Sequence, residues 1–159
     1  MTHVTLMTRI DAVADTLRDV TVLMPGEAAE RPFTVQSYDE LSEAIQDLPT
    51  VQVYPDSAIT DTNGTTDRTT LQIGVQHTAL TVTLRCFARQ RSNLNDDMAA
   101  VVACWDALDA ALESVGIGCK PFFDASAIKG FRWETTLATF DYAKVAYVGC
   151  EVTLTLEVF

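Results

Sequence analysis

The sequence predicts an α+β domain, with an antiparallel or mixed sheet of about 4–5 strands and helices packed on one face. Two segments repeat apolar residues at intervals of three and four, which is typical of a helix with one buried side. Other segments alternate apolar and polar residues, as strands do when one face of their sheet is buried. Neither an internal repeat nor a break in composition divides the chain, so we interpret residues 1–159 as a single domain.

The N-terminal segment predicts the first helix. Its apolar residues follow helical spacing from about Val4 to Val20, and its opposite side is charged. The Met24-Pro25-Gly26 sequence ends any helix. Residues 26–36 are therefore interpreted as a connection.

A second, short helix and a short strand are expected next. Ser37-Tyr-Asp-Glu40 has the spacing of a capping box, which favours a helix that Pro49 ends. Val51 and Val53 alternate with polar neighbours and predict a strand that is closed by Pro55.

Residues 56–67 are nearly all Asp, Thr, Ser, Asn and Gly, and they predict a long, mobile surface loop. Apolar residues alternate again over Leu71–Val75 and, with the opposite parity, over Leu80–Ala88. A turn or bulge near His77 must absorb this switch, and either a hairpin or one bent strand fits it.

The C-terminal half predicts one long helix and two strands. Helical spacing extends from about Asn95 to Val115, and we expect this helix to pack flat on the sheet. Phe131–Leu137 predicts a strand, and Ala146–Val158 alternates almost without interruption. Asp141–Lys144 is the expected connection between these two strands.

Charge and cysteine content limit the classes of function. The chain has 22 acidic and 11 basic residues, a formal charge of -11 and a pI of about 4.4. This charge repels nucleic acid and anionic lipid, which disfavours specific DNA binding but suits a wall past which DNA slides. The first twenty residues contain no uncharged apolar run, so we expect a protein made in the cytoplasm without a signal peptide or membrane span. Four cysteines without CxxC spacing are interpreted as reduced, mostly buried thiols: Cys86, Cys104, Cys119 and Cys150.

No set of residues predicts an enzyme, a cofactor site or a metal site. The two histidines, His3 and His77, are placed near a terminus and a turn, where a shared metal site is not expected. Gly116-Ile-Gly118 lacks the third glycine of a dinucleotide fingerprint. The stretch around Asp61 and Gly64 fails the ligand spacing of a calcium loop.

Charged clusters are the features that remain. Arg85, Arg89 and Arg91 gather at the end of one predicted strand, where they suit ion pairs across an interface. Pairing within the chain, with Asp96 or Asp97, or a solvated rim is the alternative. Acidic rows on the first and the long helix are solvated by default: Asp11 and Asp15, and Asp106, Asp109 and Glu113.

The layout of the chain resembles that of the tail terminator and related tail-completion proteins of tailed phages. The resemblance covers most of the chain and rests on Leu48–Pro55, Thr81–Arg89, the helix over Asn93–Leu112 and the closing Val148–Phe159 strand. The segment that carries the resemblance most is Arg89-Gln-Arg-Ser-Asn93, which leads into the long helix.

This resemblance implies a structural virion protein rather than an enzyme. Members of the family form a ring of six subunits that caps the tail tube, halts its polymerisation and joins it to the head-side connector. DNA would pass through the ring without specific binding. We expect one of the acidic helix faces to line the channel, through Asp11 and Asp15 or through Asp106, Asp109 and Glu113.

Two further expectations concern contacts between subunits and between tiers. The 56–67 loop, with Asp61, Asn63 and Asp67, is expected to meet the neighbouring tier, unless it is a loop without a partner. Arg85, Arg89 and Arg91 are expected to pair subunits. The alternative functions are another neck protein, such as a head-tail adaptor or stopper, and a small cellular ligand-binding domain.

Overall fold

A computed structural model describes residues 5–45, 47–61, 77–118 and 128–158. Over these residues the chain forms two helices and seven strands. Their bounds are α1 Leu6–Arg18, β1 Thr21–Val22, β2 Arg31–Pro32, β3 Thr34–Gln36, β4 Thr50–Asp61, β5 His77–Gln90, α2 Leu94–Gly118, β6 Ile128–Tyr142 and β7 Val145–Val158.

Five of the strands form one mixed sheet in the order β3-β4-β5-β7-β6. The short β3 runs parallel to β4, and every other neighbouring pair is antiparallel. Strands β1 and β2 make a separate antiparallel pair. With helices packed against the sheet, this architecture confirms the predicted α+β fold.

Helix α1 packs on the β3 and β4 end of the sheet. Thr5 caps it, because its Oγ1 accepts a hydrogen bond from Thr8 N at 3.2 Å. Ile10, Val13 and Leu17 are buried on one side, as the spacing predicted.

Helix α2 packs on β5 and β7, so the two helices share one face of the sheet. Asn93 caps its start, where Oδ1 accepts a hydrogen bond from Asp96 N at 3.0 Å. Cys104, Leu108 and Leu112 are buried against the strands. This helix is the long one that the sequence predicted.

The predicted second helix was wrong. Residues 38–44 form turns and bends after β3. Ser37 and Glu40 do bond reciprocally, with Glu40 N donating to Ser37 O at 2.9 Å and Ser37 N to Glu40 Oε2 at 3.2 Å. Ser42 Oγ then donates to Ala44 O at 2.7 Å and accepts from Gln36, so side-chain bonds hold the segment in turns.

Two segments that were expected to be connections contain strands. Strands β2 and β3 both lie within residues 26–36, so that segment is not a simple connection. Strand β4 continues past Pro55 to Asp61, so residues 56–61 are not part of a loop as expected. A register shift between Pro55 and Ser57 accommodates the proline, and β3 pairs with β4 only over Thr50–Gln52, so no described strand pairs with that side of β4 at Pro55. His77 begins β5 rather than a turn, and residues 62–76 lie outside the described residues.

A bulge at Ala88 changes which side chains of β5 reach each face. Phe87 pairs with Gly149 and Arg89 with Val148, so Ala88 is the extra residue. Phe87 lies on the face opposite the helices, with Phe140 at 4.7 Å and Tyr147 at 5.6 Å between ring centroids. After the bulge, Arg89 takes the helix-covered face.

Candidate functional site

The three arginines that the sequence grouped do not form one patch. Arg85 lies on the outer face of the sheet, opposite Glu151, with 3.4 Å between Nε and Oε2. Its guanidinium also lies 5.1 Å from the centre of the Tyr54 ring. The bulge places Arg89 on the other face, and Arg85 is therefore separated from Arg89.

Arg89 is bound to the start of α2. Its Nε lies 3.2 Å from Asp97 Oδ1, and its Nη2 donates to Ser92 Oγ at 2.8 Å. Asp97 is buried and also accepts from Ser92 N at 3.1 Å. Arg89 therefore makes the pairing within the chain that was the alternative to subunit pairing.

Arg89 and Arg91 line a cleft of about 440 Å³ together with a third arginine, Arg31. We call it the arginine cleft. Its apolar floor includes Met24, Ala88 and Ala100, which are all buried.

The arginine cleft carries one uncompensated positive charge. Arg31 forms an ion pair with Glu27, and its Nη1 donates to Leu48 O at 2.9 Å. Arg89 is paired with Asp97. The exposed side chain of Arg91 has no ion-pair or hydrogen-bond partner within the part of the chain that the structure describes. Arg91 is thus the group in the cleft that is open to an outside anion.

The sequence did not indicate Arg31. This residue lies in β2, inside the segment interpreted as a connection, and comes close to Arg89 and Arg91 through the fold alone. Arg31 stands alone between Glu30 and Pro32 and belongs to no periodic pattern that would have predicted a functional role for it.

The acidic row of α1 is largely occupied by contacts within the chain. Asp11 Oδ1 accepts a hydrogen bond from Ser37 Oγ at 3.1 Å. Asp15 forms an ion pair with Arg18, which also binds Glu40. This surface is acidic, but its charge is partly neutralised.

The acidic row of α2 divides in two. Asp109 accepts hydrogen bonds from Trp105 Nε1 at 3.0 Å, Trp133 Nε1 at 3.1 Å and Thr135 Oγ1 at 3.2 Å. Asp106 and Glu113 are exposed, and neither has a side-chain partner among the described residues. We call the exposed surface of Val102, Asp106 and Glu113 the α2 acidic face.

The structure describes only some of the remaining residues that were predicted to form an interface. The backbone of Asp61 pairs with His77 at the end of β4. Asn63 and Asp67 lie outside the described residues, as does Cys119. Cys86, Cys104 and Cys150 are buried and carry no disulfide.

Neither a metal-binding cluster nor a membrane-spanning helix occurs among the described residues. Within 5–45, 47–61, 77–118 and 128–158, no group of three or more His, Cys, Asp or Glu side chains has the arrangement of a metal site. No helix in those ranges has the length and hydropathy needed to cross a bilayer.

Comparison with known proteins gives no family for this chain. No model of a protein family matches it, and no curated protein is similar to it at a significant level.

Proposed function

We propose that the protein is a structural component of a phage virion that forms a ring, with six subunits, at the end of the tail tube and connects the tube to the head-side neck proteins. The single observation that supports this most is the sequence layout that resembles tail terminators, in which the Arg89–Asn93 phrase leads into a long helix. The α+β fold, with helices on one face of the sheet, is suited to that role.

The distribution of charge is compatible with a ring through which DNA passes. The formal charge of -11 gives a field that repels phosphate, so DNA would slide rather than bind. Either acidic helix row would serve as the channel wall in this proposal. The two rows differ because Asp11 and Asp15 on α1 have partners, whereas Asp106 and Glu113 on α2 have no side-chain partner among the described residues.

A ring also requires two different surfaces on each subunit that fit each other. The arginine cleft and the α2 acidic face have opposite charge and lie at separate places in the fold. Their presence favours a protein that binds its own copies or its neighbours in an assembly.

A ligand-binding domain is the second candidate, and the arginine cleft favours it. Its volume of about 440 Å³ falls within the range of small-molecule sites, and Arg91 would attract an anion. Isothermal titration with phosphate and with a small dicarboxylate would test this candidate, which requires saturable binding that is lost in Arg91→Ala.

Native mass spectrometry of the purified protein tests the principal proposal, followed by negative-stain imaging with tail tubes from the same phage. A hexameric ring, free or at a tube end, is the expected result. A twelve-fold ring would indicate a head-side adaptor. A monomer that leaves tube ends bare would reject the virion assignment and favour the ligand-binding domain.

A further inference from the structure

We propose that the arginine cleft of one subunit binds the α2 acidic face of a second copy of this chain, with Arg91 of the first opposite Asp106 of the second. The pairing rests on the proposed function, because it would join neighbouring subunits of that ring. It assigns the acidic row of α2 to the subunit contact and leaves the α1 row for the channel.

The arginine cleft has the composition of a binding surface for an acidic partner. Met24, Ala88 and Ala100 are the buried apolar residues of its lining, and Arg31, Arg89 and Arg91 line it as well. Glu27 and Asp97 neutralise two of the three guanidiniums, and no side chain among the described residues pairs with the third, that of Arg91. Protein interfaces combine an apolar centre with a charged rim in this way.

The α2 acidic face has the complementary composition. Val102 is 52% exposed on α2, and Asp106 and Glu113 follow it on the same side of the helix. Val102 gives the face an apolar residue that suits the floor of the cleft. The carboxylates of Asp106 and Glu113, which have no side-chain partner among the described residues, give it the negative charge that would pair with Arg91.

The overall charge favours such local pairing. Each copy has a formal charge of -11, so two copies repel one another at long range. A contact that brings a cation of one copy to an anion of the other offsets this repulsion locally. Arg91 and the carboxylates of Asp106 and Glu113 suit such a contact, since they are exposed and no described residue pairs with their side chains.

The positions of the two surfaces favour a ring over a symmetric dimer. Ala100 lines the arginine cleft, and Asp106 follows it on α2 by six residues, which places their side chains about 120° apart around the helix. Because one subunit offers two different surfaces in two directions, the contact is head-to-tail. Head-to-tail contacts produce rings when their rotation closes.

A charge swap tests the pairing. The dissociation constant of the assembly would be measured by sedimentation velocity over a concentration series for wild type, Arg91→Glu, Asp106→Arg and the double variant. Each single reversal is expected to weaken assembly on the order of a hundredfold, because it brings like charges together. The double variant should recover to within about tenfold of wild type, because the pair is restored with its polarity exchanged.

Arg132→Glu is the matched control. Arg132 is an exposed arginine on the edge strand β6, outside both surfaces, and its reversal changes the net charge by the same amount as Arg91→Glu. It should assemble as wild type does. Circular dichroism would verify that each variant folds. Arg91→Glu and Asp106→Arg change opposite sides of the contact, so if one of them misfolds, the other still tests the pairing.

The outcomes separate the pairing from the proposed function. Single variants that assemble like wild type, or a double variant no better than the singles, would overturn the pairing while the ring stands. Normal rings of Arg91→Glu that no longer bind tubes would also overturn it, in favour of the tube protein as occupant. A wild-type chain that never assembles, alone or with tubes, would overturn the proposed function itself.

Discussion

The Asp109 carboxylate on α2 accepts a hydrogen bond from the Trp133 indole on β6, with 3.1 Å between Oδ1 and Nε1. The other carboxylate oxygen accepts from Trp105 Nε1 at 3.0 Å. These are both tryptophans of the chain, bound to one acidic side chain. Since β6 is an edge strand of the sheet, this cluster ties the long helix to that edge.

Replacing Asp109 with alanine should destabilise the protein by about 2–3 kcal/mol, because two indole N–H groups and the Thr135 hydroxyl lose a charged acceptor in a half-buried position. Urea unfolding followed by tryptophan fluorescence measures this directly, since both fluorophores lie at the site. Asp106→Ala, on the exposed side of the same helix, should change stability by less than about 0.5 kcal/mol. Equal effects of the two substitutions would mean that the cluster adds no stability.

Gly149→Ala should be among the most damaging single substitutions. A Cβ at this position would lie 1.7 Å from the carbonyl oxygen of Cys86 on the neighbouring strand. Because the obstacle is backbone, β5 and β7 would have to separate, at a cost of about 3 kcal/mol or more. The measurement is the midpoint of thermal unfolding.

Gly130→Ala provides the control for that substitution. A Cβ at Gly130, also in a strand, would meet Glu157 Oε2 at 3.7 Å, which is an ordinary contact. This variant should unfold within a few degrees of wild type. If both alanines were tolerated equally, this would contradict the close approach of the β5 and β7 backbones at Gly149.

The periodic parts of the fold could be predicted from the sequence, because each buries one side against the sheet. Spacing over α1 and alternation over β7 report that burial directly. The turn segment after Ser37 could not be distinguished from a helix. Ser37 N donates to the Glu40 carboxylate as in a capping box, but Ser37 Oγ donates to Asp11 instead of accepting from Glu40 N. Ser42 bonds to Gln36, Ala44 and Tyr142, and these contacts hold the later residues in turns.

The candidate site could be predicted only in part, because it depends on contacts between distant segments. The bulge at Ala88 arises where β5 meets Gly149, and it sends Arg85 and Arg89 to opposite faces. Alternation along β5 alone would have kept both on one face. Arg31 joins the arginine cleft from a two-residue strand with no pattern of its own.

Removal of the Asp97 carboxylate should loosen the start of α2. Asp97 is only 5% exposed, accepts hydrogen bonds from Ser92 N and Ser92 Oγ, and forms an ion pair with Arg89. Asp97→Ala leaves these donors without their acceptor, and we expect a loss of about 2–3 kcal/mol in unfolding free energy, measured with urea. Asp96→Ala, one residue away and exposed, should cost less than about 1 kcal/mol. A larger loss at Asp96 would contradict this assignment of the stabilising contacts.

The buried thiol cluster should make stability fall at alkaline pH. Hydrogen bonding with the thiols of Cys104 and Cys150, together with burial, raises the pKa of Cys86 well above its usual value. The folded state therefore keeps a proton that the unfolded chain releases above about pH 8.5. Unfolding free energy should be constant below that pH and decline above it, by up to about 1.4 kcal/mol per pH unit for this group.

Cys86→Ala isolates this contribution. The variant loses packing at every pH, but its unfolding free energy should decline less steeply than that of wild type between about pH 8.5 and 10, because the group that titrates there is gone. Urea unfolding at several pH values under reducing conditions provides both curves. Parallel curves over this range would show that the raised pKa of Cys86 is not a source of alkaline instability.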